Sequence, residues 1–294
     1  MRDAAVLPAP AGAARRSARA KSWTRFVRRR TAVAGGAISA VFVLAMLGGA
    51  WIAPYPPGAV DYYHTLGPPS PAHLLGTDDF GRDILSRIIA GTRYSLGIGL
   101  VATCLGAVLG SAWGIATAFY SGPFDNVSMR IVDVVLAFPG FLLAIAIAAI
   151  LGPGMWNVIL AVGLYSIPTF ARLARGPALS AMGQEFVMAA RAMGARNGRI
   201  MARHLFPVAL PSMLVFASLR IGVAILIASS LSFLGLGVQP PTPEWGAMLA
   251  TARTFIGVAP HLILAPGLTI SLAVLGFNLL GDGVRDALDP RLRD

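Results

Sequence analysis

Apolar residues in this chain gather into six runs, with polar and charged residues confined mostly to the stretches between them. The runs fall at about residues 31–53, 95–120, 128–151, 156–171, 212–236 and 262–280. About 20 apolar residues in a helix cover the ~30 Å hydrocarbon layer of a bilayer. The pattern therefore predicts an all-α membrane protein with six transmembrane helices. The first run follows a basic stretch, as a signal peptide's core would. Its apolar part outlasts the roughly 7–15 residues of such a core, and five more runs follow, so it reads as an uncleaved span.

The segments between the runs set the organisation. Residues 1–22 are Ala, Arg, Pro and Gly without periodicity and read as a disordered basic tail. Trp23–Arg30 reads as a short helix on the membrane surface, anchored by Trp23 and Phe26. Residues 1–30 thus form a tail with a surface helix. Residues 31–294 form one transmembrane domain with an outside loop at 54–94 and a long cytoplasmic loop at 172–211. The outside loop carries Pro54, Pro56, Pro57, Pro68, Pro69 and Pro71, which disfavours regular structure until Gly81. Beyond it Ile84, Leu85, Ile88 and Ile89 have helical spacing, predicting a short amphipathic helix over Arg82–Gly91 on the outer membrane face. Pro139, Pro168, Pro266 and Gly267 disturb the third, fourth and sixth spans. In the second, Gly106, Gly110 and Gly114 share one face, the small-xxx-small pattern that lets helices approach closely in lipid; a packing seam within the chain is favoured over a pore-lining role.

Composition agrees with the pattern. The chain is 56% hydrophobic and 13% charged, with mean hydropathy +0.69. A soluble domain carries about 25% charge, so this chain has too little polar surface to cover itself in water. Its net charge is +11, carried by 23 arginines and Lys21. Nineteen of these cations fall in segments that face one side if the N-terminus is cytoplasmic, against four on the other side. The positive-inside rule then places both termini in the cytoplasm, and a charge spread in this way is topology rather than a nucleic-acid surface. Cys104 is the one cysteine, which excludes an intrachain disulfide and a cysteine-based metal site. His64, His73, His204 and His261 lack ligand spacing, so no metal is expected. No catalytic constellation is present, and the sole lysine lies in the tail, so the chain has no phosphate-binding P-loop.

Ionisable residues within the spans are costly there and point to function. Asp133 in the third run and Arg220 in the fifth are candidates for a translocation path or a subunit contact. They could pair with each other or with a partner, or snorkel to water. In the outside loop Asp78, Asp79 and Asp83 could bind calcium or a docking protein; capping of the following helix by Asp79 or Asp78 is favoured. The cytoplasmic loop reads as two short helical stretches around Gly194. Phe186, Ala189, Ala190 and Met193 form an apolar stripe on the first, and Ile200, Met201 and Leu205 on the second. Arg191, Arg196, Arg199 and Arg203 decorate the polar sides. Such a stripe either packs under the membrane bundle or docks a soluble partner.

Ala189-Ala190, Gly194 and the His204-Leu205-Phe206-Pro207 end resemble the EAA loop of bacterial ABC importer permeases, with Met188 at the usual Glu and His204 at the usual aliphatic position. The stretch from His73 through Gly76, Thr77, Asp78, Asp79, Gly81, Arg82 and Asp83 resembles the signature of the second, C-type permease of oligopeptide, dipeptide and nickel importers. So does the ending from Asn278 through Gly281, Asp282, Gly283, Arg285, Asp286, Asp289 and Pro290 to Arg291. The resemblance covers residue 25 to the end.

The resemblance implies a type I ABC importer permease fold in a bacterial inner membrane, and alternating access driven from outside the chain. It implies a second, related permease, two cytoplasmic ATPases that use ATP and Mg, and an extracytoplasmic substrate-binding protein. No cofactor is expected on this chain. The ATPase-coupling residues would be Glu185, Ala189, Ala190, Met193, Gly194, Arg196, Ile200, His204 and Pro207. Di- or oligopeptides are the leading substrates, with glutathione or nickel chelates as alternatives. A secondary transporter without ATPases is the alternative of another class; the absence of a visible internal repeat and the long glycine-centred loop speak against it.

Overall fold

A computed structural model describes residues 29–288. The expected basic tail and surface helix, and Asp289, Pro290 and Arg291 of the C-terminal motif, lie outside the described residues. Apolar runs became helices because lipid offers backbone N–H and C=O groups no partner, so each must bond within its own segment.

Helix α1 spans Arg30–Ile52. Helix α2, Ile84–Tyr120, has 37 residues, about 55 Å at ~1.5 Å per residue and well beyond the bilayer core. The outside helix expected over Arg82–Gly91 is therefore not a separate element lying on the membrane. It is the first turns of α2, which extend the spanning helix beyond its apolar stretch. The third apolar run is broken. Helix α3, Gly122–Ala137, meets α4, Gly140–Leu151, at 92°. Pro139 supplies the break: it forces Phe138 out of the helical region, to φ −80° and ψ 140°. Among the described residues five helices are long and apolar enough to cross a membrane, and the bent pair makes up to six.

The expected cytoplasmic loop is mostly helical. Helix α5, Met155–Met182, runs past its apolar stretch with Pro168 and Pro177 inside it. Helix α6 covers Glu185–Ala192 and α7 covers Asn197–Ile200. A π-turn at Met201–Leu205 leads into α8, Phe206–Phe233. A short helix α9, Trp245–Ala252, precedes α10, His261–Leu288. The segment between α1 and α2 holds a 3-10 turn at Tyr62–His64.

Helix α2 lies at the centre, against α5, α8 and α1, while α10 packs on α1 and α8. The glycine face of α2 meets α5 within the chain. A Cβ at Gly106 would lie 2.7 Å from Ser166 Cβ, one at Gly110 2.5 Å from the Ile167 carbonyl, and one at Gly114 2.1 Å from the Ala171 carbonyl. Beside this seam Ile98, Ala102, Val158, Val162, Tyr165, Ala228 and Leu231 form one core. Trp245 anchors another with Leu96, Ile225, Ile270 and Phe277.

Gly114→Ala should therefore cost about 1–3 kcal/mol through overpacking against backbone that cannot yield. Gly97→Ala should be neutral, because its new Cβ would meet nothing nearer than Met46 Cε at 3.9 Å. Thermal unfolding of the detergent-solubilised complex reads the difference; equal melting midpoints for the two variants would refute the seam.

Candidate functional site

Three groups of residues carry chemistry. The first is the α6–α7 corner. Helix α6 ends in a Schellman closure: Ala195 N–H donates to the Ala190 carbonyl (3.0 Å) and Gly194 N–H to the Arg191 carbonyl (2.9 Å). Gly194 takes φ +75°, and a Cβ there would meet nothing within 4 Å. Backbone conformation, not crowding within the chain, selects glycine. Glu185 sits in the first turn of α6 and Arg191 in its last, each complementing the helix dipole.

The expected apolar stripe divides. Val187 and Ala190 turn inward onto Ile115, Ala118, Ala178, Ile200 and Leu205. Phe186, Met188, Ala189 and Met193 face outward, Met193 at 81% exposure. Arg196, Arg199 and Arg203 are exposed. His204 is half-buried with its ring 6.1 Å from that of Phe186, and Pro207 lies exposed in the first turn of α8.

The second group is the outside signature, which forms one hydrogen-bonded knot at the head of α2. Gly76 and Gly81 take φ +81° and +71°, and a Cβ on Gly81 would sit 1.8 Å from the Asp61 carbonyl. Thr77 Oγ1 accepts from Gly67 N–H (2.9 Å) and donates to the His64 carbonyl. Asp78 Oδ1 accepts from the N–H groups of Phe80 and Arg82, both at 2.9 Å, and Asp78 Oδ2 pairs with Arg82 Nε at 2.7 Å. Arg87, absent from the sequence-derived candidates, reaches Asp78 Oδ2 at 3.4 Å and donates to the Pro57 and Pro241 carbonyls. Neither Asp78 nor Asp79 caps α2. Asp83 does: its Oδ2 accepts from Ser86 N–H (2.8 Å), while its Oδ1 bonds His73 Nδ1 (2.9 Å). Asp83 directly precedes the first helical residue, whereas Asp78 is spent on the turn before it. Asp79 lies on a cavity of ≈ 540 Å³ also lined by Tyr62, Thr242 and Met248. Burial raises the Asp79 carboxyl above its ordinary value, the Asp78 charge adds to this, and Arg82 opposes it.

Sequence reasoning missed Glu244, which is fully buried. Its carboxylate accepts from Ser95 Oγ (3.0 Å) and from Ala247 N–H (2.8 Å), capping α9 and tying it to α2. Trp245 completes the joint by donating its backbone N–H to Ser95 Oγ and its indole N–H to the Ile88 carbonyl. An acid ahead of the short Trp245–Ala252 apolar run was the available signal.

The third group lies in the membrane helices. Asp133 and Arg220 do not pair with each other. Asp133 pairs with Arg172 on α5. Asp125, not singled out from sequence, forms a two-pronged pair with Arg175 at 2.6 and 2.5 Å. Arg220 instead lies over the rings of Tyr165 (5.0 Å) and Phe216 (5.5 Å).

Comparison with known proteins gives concordant matches. The family described as binding-protein-dependent transport system inner membrane component matches residues 106–294. The N-terminal TM domain of oligopeptide transport permease C matches residues 17–69. The glutathione transport system permease protein GsiD of Pectobacterium atrosepticum is 50% identical over 276 residues, covering 92% of this chain and 90% of its own. GsiD proteins of Escherichia coli and Shigella sonnei are 48% and 47% identical over 272 residues, again covering 92% of this chain and 90% of theirs.

Asp83→Ala should lose the α2 cap and the His73 bond and cost about 1–2 kcal/mol, whereas Asp79→Asn should leave stability near wild type. Melting curves of the two variants side by side decide it; a larger loss for Asp79→Asn would return the cap to that residue.

Proposed function

The chain belongs to the family of binding-protein-dependent transport system inner membrane components, and on that premise we propose that it forms half of an ATP-driven import path for small peptides. It is a multi-pass inner-membrane permease of the ABC importer class. The second half of the path is a related permease. Two cytoplasmic ATPases supply ATP hydrolysis with Mg, and an extracytoplasmic binding protein delivers the substrate. The names of the relatives favour glutathione, itself a tripeptide, among the candidates.

The observation that carries the coupling role is the outward face of α6. Phe186, Ala189 and Met193 recur at i, i+3 and i+7 on a helix closed by Gly194, with large apolar side chains left uncovered. Lipid would satisfy such a face within the bilayer. Yet α6 is flanked by Arg191, Arg196, Arg199 and Arg203, all exposed or at the helix end. A groove on an ATPase is the partner that suits it. The small Ala189 allows close approach, and the buried Val187 and Ala190 transmit displacement of α6 into the ends of α2, α5 and α8. The pairs Asp133–Arg172 and Asp125–Arg175 hold α3 to the same end of α5. Both termini are cytoplasmic on this reading, and the knot at the head of α2 is outside.

Gly194→Val should separate ATP hydrolysis from uptake, since a β-branched residue resists φ +75° by about 1–2 kcal/mol. Gly194→Asn, which tolerates that region, should retain most uptake. Co-purification of the ATPases and uptake by the reconstituted complex are measured together; full uptake by Gly194→Val would remove this corner as the coupling element. In a Cys104→Ser background, Asp61→Cys should react with an impermeant thiol reagent from outside and Asn197→Cys only from inside. The opposite labelling would invert the topology.

A further inference from the structure

We infer that Arg220 is a carboxylate-recognition residue on the import path, one that receives the free C-terminal carboxylate of a passing peptide. This deepens the peptide reading above and rests on it. Arg220 lies fourteen residues after Phe206 and thirteen before Phe233, the midpoint of α8. Arg29, Arg82, Arg87, Arg172 and Arg175 each have an aspartate partner. Arg220 sits midway along α8 with no carboxylate at ion-pair distance among the described residues. Its guanidinium makes no hydrogen bond among them. What holds it is the pair of aromatic faces of Tyr165 and Phe216.

That arrangement is expensive unless something uses it. A guanidinium carries five N–H donors in a planar fork, and a membrane interior leaves them without water. Stacking on rings orients the fork and compensates its charge in part, but consumes none of the donors. A carboxylate satisfies two of them at once, in the same plane.

The surroundings add to the charge. The Tyr165 ring that supports Arg220 also packs against Gly140, where a Cβ would lie 2.7 Å from Tyr165 Cε2. Gly140 opens α4 at the break of the third span, and no side chain caps that helix start. The positive end of α4 and the Arg220 guanidinium are thus brought to the same aromatic ring. Broken spans with uncapped half-helices recur where transport proteins hold anionic groups near the membrane midplane. Tyr165 is buried in the core, but Arg220 itself is half-buried, so its guanidinium reaches the surface of the chain.

The test uses the complete reconstituted complex with its binding protein. The probe is a mixture of di- and tripeptides, glutathione included, supplied with free or amidated carboxyl ends. Uptake is read by mass spectrometry for peptides that the binding protein holds in both forms. The variant-to-wild-type ratio for each peptide cancels the binding protein's own preference. Arg220→Gln should lower uptake of the free acids by about tenfold or more, the scale of a lost charged hydrogen bond, and leave that of the amides unchanged. Arg220→Lys, which keeps the charge, should retain more uptake of the acids than Arg220→Gln. Equal losses for acids and amides would overturn the inference in favour of an ion pair with the second permease. No loss for either form would overturn it outright, as would a Lys variant no better than the Gln variant. A wild-type complex that imports no peptide at all would instead sink the peptide reading, and the carboxylate site with it.

Discussion

The close approach of α2 to α5 is the contact on which the other placements depend. Within lipid no hydrophobic force drives one helix onto another, since hydrocarbon tails are as apolar as leucine. Association has to come from van der Waals contact, which grows as backbones approach. Gly106, Gly110 and Gly114 supply that approach over two helical turns, against Ser166, Ile167, Phe170 and Ala171. With this seam in place α5 holds α3 through two ion pairs and α4 through the Gly140–Tyr165 contact. Helix α2 holds α9 through Ser95, Glu244 and Trp245.

Charge is distributed by the same economy. At the head of α2 Asp78 lies between Arg82 and Arg87, with Asp79 also near Arg82, while backbone N–H groups bond to Asp78 Oδ1. At the other end of α5, Asp125 and Asp133 take Arg175 and Arg172. The Asp78–Arg82 and Asp125–Arg175 pairs are mostly buried, where losing one partner strands the other, while Asp133–Arg172 is exposed at both side chains. They act as registration devices, fixing which turn of α3 faces which turn of α5. Arg220 stands outside this scheme, supported by rings rather than by acids.

Much of the architecture was legible in the sequence because apolar runs of bilayer length have few alternatives. Pro139 in the third run marked the place of the break, though not its 92°. The ends of the helices were not legible. Where α2 leaves the bilayer at Ile84–Arg93, and α5 at Arg172–Met182, apolar periodicity gives way to a mixed composition. Hydropathy then stops reporting on a helix that hydrogen bonding and capping still sustain. The cap itself was misplaced by a few residues, because Asp78, Asp79 and Asp83 carry the same side chain. Only the turn geometry at Gly81 decides which of them precedes the helix. Arg172 as the partner of Asp133 was hidden for a related reason. Residues 39 apart give no local pairing signal, and many arginines of the chain were equal candidates for Asp133.

Exposed apolar side chains in this chain have two different physical explanations. Val108, Leu142, Ile150 and Leu272 lie on spans, where their exposure is to lipid and costs nothing. Phe186, Met188 and Met193 lie on a two-turn helix beyond those spans, with arginines on either side. No lipid argument applies there, and water is a poor solvent for them. The inward side of the same helix is filled by Val187 and Ala190, so α6 is held against the bundle on one face while the other stays uncovered. A helix packed on one side and closed by a positive-φ glycine moves as a rigid unit. On the coupling role proposed above, displacement of its outer face would reach Ile115, Ala178 and Leu205, on α2, α5 and the approach to α8, which pack directly on its inward side.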